Sequence, residues 1–247
     1  MIELNTPPKY TWRPAHYNKS APFVYSDENT KHLFELLSAR LGQRIVDMGC
    51  GTVKPCSRQP RKTESRTWSA VTYRTLSCPT ISMNLTGTFD AVFTNSTLQW
   101  CKQDPHGPVR AAKALLKPGG RFVGEFPGYM TGIGTRCAFS QVLKRRGITP
   151  PDPWFLPQPT EYEKILESEG FRVEHISLNS RVCRLPGPMT DFLRAIYRIA
   201  FLKDMEDQEA EEVLQEVSDM CELEHKDGMG NWSIMHTTVR FRAIAPE

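Results

Sequence analysis

The sequence predicts an α/β protein, a mostly parallel sheet with helices on both faces, and three observations carry that prediction. Short apolar runs alternate with segments of helical period along most of the chain, the pattern of strands joined by crossover helices. One of those runs, Arg44 to Met48, includes an acidic residue, Asp47, near its end and passes directly into the turn Gly49-Cys50-Gly51. A length of 247 residues with 39% hydrophobic and 24% charged residues suits one core with insertions.

The elements follow in order. Residues 1–24 are rich in Pro and aromatic residues, among them Tyr10, Trp12, Tyr17 and Phe23, and read as an ordered arm or short helix. From about Thr30 to Arg40, Leu33, Phe34, Leu36 and Leu37 recur at helical spacing behind the N-cap candidates Ser26 to Asn29. The strand Arg44 to Met48 comes next.

Residues 53–88 then sustain neither a helical nor a strand period. Lys54, Arg58, Arg61, Lys62, Arg66 and Arg74 face a single acidic residue, Glu64, so the stretch reads as foreign to the domain, as an altered reading frame or exon boundary would make it.

Order returns with a strand at Phe89 to Asn95, a helix from Pro108 to Leu116 closed by Lys117-Pro118-Gly119-Gly120, and a strand at Arg121 to Phe126. Helices are expected at about 131–146 and 160–169, a strand at Phe171 to Leu178, helices at 189–203 and 206–221, and a last strand at Ile234 to Ile244. All of 1–247 reads as one domain, with helical insertions at 127–170 and 187–221 that shape a pocket. Lys144-Arg145-Arg146 ends a helix, where positive charge complements the macrodipole, and Glu206 to Glu216 forms an acidic, solvated helix face.

Bulk properties narrow the function classes. A net charge of +3 without a concentrated basic face argues against a nucleic-acid partner. The seven cysteines, an odd number without a Cys-x-x-Cys pair, fit reduced thiols. The six histidines show no ligand spacing with Cys, Asp or Glu, so no metal site is expected. The first residues lack the basic-then-apolar run of a secretory signal, and no stretch approaches roughly 18 uninterrupted apolar residues. A cytoplasmic protein with no membrane partner is expected, of unspecified oligomeric state.

Glycines at 49 and 51 permit positive φ and close approach of a ligand to the backbone, and the turn's N–H groups can receive an anionic group. On its own, such a turn is also an ordinary tight connection. Taken with Phe89-Asp90-Ala91-Val92-Phe93-Thr94-Asn95 and Leu115-Leu116-Lys117-Pro118-Gly119-Gly120-Arg121-Phe122, it resembles the motif series of the class I S-adenosylmethionine-dependent methyltransferases.

The chain is most similar to small-molecule enzymes of the trans-aconitate and juvenile-hormone-acid type, over roughly residues 10–51 and 88–247. The resemblance implies a Rossmann-like fold and S-adenosyl-L-methionine as cofactor. It places Asp47, Gly49, Cys50 and Gly51, with Asn95 and Ser96, against that cofactor, and makes Trp12 and Tyr17 an aromatic lid. It further implies methyl transfer to an oxygen, carboxylate or hydroxyl, of a small-molecule substrate, faced by Gln99, Trp100 and Phe126.

Gln99 has an amide N–H for a carboxylate oxygen and Trp100 an indole N–H or an apolar wall, while a satisfied loop residue and a core ring remain the alternatives. Glu125, at the carboxyl end of its strand, either touches substrate or pairs locally. Asp90 stands at the opposite end of its strand and reads as structural.

Two departures from the family lie just after the first motif. Val53 stands where a third glycine is usual, with Pro55 soon after, and no carboxylate closes a second apolar strand to hold the ribose hydroxyls. The second and third strands are therefore expected to be disrupted. The alternative function is a catalytically inactive methyltransferase-like protein that has lost part of the cofactor site.

Overall fold

Six strands form one sheet in the computed structural model, which describes residues 14–49, 67–71 and 85–247. They are β1 (Arg44–Met48), β2 (Thr67–Val71), β3 (Phe89–Asn95), β4 (Leu116–Pro127), β5 (Arg172–Arg184) and β6 (Ser233–Ile244), in the spatial order β2-β1-β3-β4-β6-β5. The pairs β1–β2, β1–β3 and β3–β4 are parallel, and β6 runs antiparallel to β4. The helices are α1 (Pro14–Ser20), α2 (Asp27–Leu37), α3 (His106–Leu115), α4 (Ile133–Arg145), α5 (Pro159–Ser168), α6 (Met189–Phe201) and α7 (Asp207–His225). This is the Rossmann-like α/β architecture that the alternating pattern predicts.

β2 was not legible in the sequence, and its presence narrows the expected disruption. It pairs with β1 residue for residue, from Arg44 opposite Thr67 to Met48 opposite Val71. Thr-Trp-Ser-Ala-Val is only five residues long, and a parallel strand need not alternate, so the segment carries no period. Among the described residues the sheet order begins at β2.

The chain divides into two compact units, one comprising 24–131, 154–181 and 236–247, the other the remainder. In the sheet-bearing unit, helix α2 starts where the Asn29 N–H donates to Ser26 Oγ at 3.3 Å and ends at Ser38, whose φ is +46°. Its Leu33 and Leu37 bury against Ile45, Ala91, Phe93 and Val123, and Phe34 stacks on Phe93 at 5.3 Å. The opposite face packs Val46, Met48, Val92, Phe122 and Phe126 against Val109, Ala112 and Leu115 of α3 and Tyr162 and Leu166 of α5. Phe89 packs on the same face as Val92, and the β3–β4 register is irregular between Phe89 and Ala91, where β4 runs from Leu116 to Arg121.

In the helical unit, Phe139 of α4 stacks on Tyr197 of α6 at 4.9 Å, and Val213, Leu214 and Val217 of α7 are fully buried. The basic end of α4 and the acidic face of α7 prove to be partners. Arg145 and Arg146 reach Glu216 at 3.2 and 3.0 Å.

Asp90 is structural, as its place at the start of β3 suggests. Its carboxylate accepts from Lys117 Nζ and from the Arg44 N–H, each at 2.7 Å, tying β3 to β4 and β1. Partial burial pushes the carboxyl up, but the bonds from Lys117 and Arg44 outweigh it and hold Asp90 below the usual carboxylate range. A depressed pKa contributes stability above the unfolded value, and that contribution is lost as pH falls through the folded one. Asp90→Asn is therefore expected to lower stability at pH 7 by about 1 kcal/mol in urea unfolding. The difference from the parent should begin to shrink below about pH 4, near the unfolded carboxylate value, and disappear once pH has fallen through the lower folded value; a difference that persists undiminished at about pH 2 would contradict this.

Candidate cofactor and substrate site

The ends of β1 and β3 are joined by side-chain hydroxyls. Thr94 Oγ1 donates to the Met48 carbonyl at 2.9 Å, and Thr97 Oγ1 lies 3.1 Å from the Gly49 carbonyl and 3.2 Å from that of Asn95. Gly49 has φ +84°, and a Cβ there would stand 2.2 Å from Thr97 Cγ2. Glycine is thus required twice, for its backbone conformation and for the closeness of Thr97. Neither threonine stood out in the sequence, because a hydroxyl that reaches a carbonyl on a neighbouring strand leaves no local pattern.

The chain then turns sharply. Ser96 adopts φ +54°, uncommon for a residue with a Cβ, while its N–H donates to the Glu125 carbonyl at 2.8 Å. Asn95 Nδ2 donates to the Val24 carbonyl at 3.2 Å, and Ser96 Oγ lies 3.3 Å from Asn95 Oδ1. Strand alternation puts Asp47, Asn95 and Glu125 on one face, that of α2, since Ile45, Phe93 and Val123 pack there. Asp47 is buried, with 1% of its surface exposed.

Of the residues assigned to substrate, Gln99 is buried just after β3. Its Nε2 donates to the Ser96 carbonyl at 2.9 Å, its own carbonyl accepts from the Phe155 N–H at 2.8 Å, and its Oε1 is enclosed without a hydrogen-bond partner. Trp100 is half-buried and meets Trp154 edge to face at 5.8 Å. Phe126 is fully buried in an aromatic group with Tyr162, Phe155 and Phe241. Tyr17 is half-buried on α1, within the helical unit. Trp12, Cys50 and Gly51 lie outside the described residues.

Glu125 pairs with Arg181 and, at 2.6 Å, with Arg240. Neither arginine was singled out in the sequence. β2 ends at Val71, followed in the sequence by Thr72, Tyr73 and Arg74, so no carboxylate stands directly after it. Among the described residues there is no group of three or more His, Cys, Asp or Glu that could hold a metal ion, and no helix long and apolar enough to cross a membrane.

Comparison with known proteins bears on what this arrangement serves. Residues 57–124 match a family described as a methyltransferase domain. The match enters the stretch at 53–88 that reads as foreign, which narrows the departure from the family. An uncharacterized methyltransferase of Schizosaccharomyces pombe is 24% identical over 213 residues, 75% of this chain and 80% of that protein.

Among solved structures, loganic acid methyltransferase with SAH superposes with a TM-score of 0.63 at 12% identity, covering 98% of this chain and 99% of that one. A methyltransferase described as putative, from Bacillus halodurans, gives 0.57 at 12% identity over 89% of this chain and all of that one. The two structures establish the fold. With the domain match and the curated relative, they support a class I S-adenosylmethionine-dependent methyltransferase.

The packing of Gly49 against Thr97 has a measurable consequence. Gly49→Ala is expected to destabilise the protein by roughly 2 kcal/mol, from positive φ and the clash together. In a Thr97→Ala background the same change should cost about 1 kcal/mol less. Urea unfolding of the four proteins gives both values, and an equal cost in both backgrounds would show that Thr97 does not impose the glycine.

Proposed function

We propose that this protein transfers a methyl group from S-adenosylmethionine to an oxygen, carboxylate or hydroxyl, of a small metabolite, in the manner of the trans-aconitate and juvenile-hormone-acid type of enzyme. Asp47, Gly49, Cys50 and Gly51 would hold the cofactor, with Asn95 and Ser96 beside it. The observation that carries the reading is Gln99 Oε1, a buried acceptor without a partner in the loop at the carboxyl end of β3. An enclosed polar atom left unsatisfied is unfavourable unless a ligand completes it. Ligands of open α/β sheets bind at that end of the strands.

S-adenosylmethionine supplies a methyl group already activated by its sulfonium, so the protein's share is alignment and exclusion of water. A substrate hydroxyl would donate to Gln99 Oε1, which fixes the oxygen's direction. A carboxylate would instead take the second N–H of Nε2, the first being bound to Ser96. Trp100 and Trp154 would form an apolar wall beside the substrate, with Phe126 backing it from the core.

Methyl-tritiated S-adenosylmethionine, incubated with the protein and a small-molecule cell extract, is expected to label low-mass products. Label released as methanol by mild base would identify methyl esters, hence a carboxylate, and base-stable label assigned to an O-methyl group by mass spectrometry and NMR would identify an ether, hence a hydroxyl. Label confined to protein or nucleic acid would overturn the small-metabolite reading, and label on nitrogen or carbon would overturn transfer to oxygen.

A further inference from the structure

Beside Asn95, in the same row of the sheet, stand Glu125 on β4 and Arg240 on β6. Arg181, on β5, reaches the same carboxylate. Arg181 Nη2 bonds Glu125 Oε1, and Arg240 Nε bonds Oε2 at 2.6 Å, so both oxygens of one acid are engaged by two guanidinium groups. Only 3% of the Glu125 side chain and 10% of that of Arg240 are exposed. Two cations against one anion leave an excess positive charge in a largely desolvated place.

The donors are in excess as well. Arg181 Nε is buried with no hydrogen-bond partner, and Arg240 meets Glu125 through Nε, leaving its two Nη groups for another acceptor. Among the described residues, the titratable groups near the two arginines are the following. His236, 3.2 Å from Thr131 Oγ1, is driven down to about 4 by burial and by the charge of Arg181, against the opposing pull of Glu125, and so is neutral at pH 7. His175 is lowered by burial and then by the charge of Arg240. Glu174 is engaged by Arg172 and Arg242. Asp47, the other buried carboxylate of this face, stands on β1, two strands from β4 and so roughly 10 Å away across the sheet.

A buried ion group that served stability alone would be expected to balance its charges and satisfy its donors, because desolvating an extra guanidinium is expensive. Guanidinium forks left open in a partly desolvated site match the oxygens of a carboxylate or phosphate. We propose that Arg181 and Arg240 form an oxyanion subsite, two strands from Asn95, that holds an acidic group of the methyl-accepting substrate, carboxylate or phosphate. The inference rests on the reading of the protein as a small-molecule methyltransferase and narrows its substrate to an acid.

Calorimetric titration of the full chain with succinate, inorganic phosphate and uncharged succinamide, each with and without S-adenosylhomocysteine, tests this. Saturable binding of succinate or of phosphate is expected, with none of succinamide, and the one that binds names the oxyanion. Arg181→Gln and Arg240→Gln should each weaken that binding roughly tenfold or more. Arg240→Lys, which keeps the charge and guards against loss of fold, should weaken it less.

Glu125→Gln gives the opposite sign. Removing the competing carboxylate should tighten oxyanion binding severalfold, whereas arginines that only neutralise Glu125 would give no such gain. Absence of saturable oxyanion binding in both the parent and Glu125→Gln would overturn the subsite, as would binding unchanged by both Arg→Gln variants. Heat from S-adenosylhomocysteine with none from any anion sinks the subsite alone. Anion binding without S-adenosylhomocysteine binding upholds the subsite and sinks the methyltransferase reading.

Discussion

The hydroxyls of Thr94 and Thr97, closing onto the carbonyls of Met48 and Gly49, are the contacts on which the rest of the candidate site depends. A parallel pair of strands is held by backbone bonds only as far as its ladder runs, and β1 pairs with β3 from Ile45 opposite Ala91 to Asp47 opposite Phe93. The two threonines extend the tie by one more turn and bring the chain after β3 against Gly49 so closely that no side chain fits there. From that fixed point Ser96 turns back through the Glu125 carbonyl, and Gln99 is set behind it through the Ser96 carbonyl. Each step uses a backbone group as the partner of a positioning bond.

The carboxyl edge of the sheet also gathers the buried charge. Asp47, Glu125 and Arg240 are enclosed at this end on the α2 face, while the interior toward α3 and α5 is apolar and aromatic. The two faces differ in chemistry because they differ in partner. α3 and α5 present Val109, Leu115 and Leu166, whereas beside Glu125 stand Arg181 of β5 and Arg240 of β6. Charges placed in such a region interact strongly with each other and with whatever enters it, since little water screens them.

The fold was legible where local pattern and long-range order agree. Helix α2 declared itself through Leu33, Phe34 and Leu37 at helical spacing behind Ser26, and β3 through its apolar run from Phe89 to Asn95, and the packing of both follows directly from those periods. α4, α6 and α7 likewise lie where periodicity placed them.

β2 failed to declare itself because five residues that pair only with β1 carry no period. Gly49 was legible as a turn, but its demand for glycine comes from Thr97, which is 48 residues away along the chain. The arginines around Glu125 were illegible for the same reason. Their partner lies 56 and 115 residues away, and no spacing rule links residues whose meeting is decided by strand order. Glu125, which the sequence leaves open between a substrate contact and a local pair, is paired with two arginines that are distant along the chain.

If the reading proposed above holds, the end of β1 at Met48 and Gly49, tied to Thr94 and Thr97, belongs to a working S-adenosylmethionine site even though no carboxylate directly follows β2. Calorimetric titration with S-adenosylhomocysteine addresses this before any substrate is known. The account predicts a saturable one-to-one isotherm, accompanied by stabilisation of about 2.7 kcal/mol at a hundredfold excess over Kd. An absence of both heat and thermal shift at millimolar ligand, in a protein that unfolds cooperatively, would contradict it.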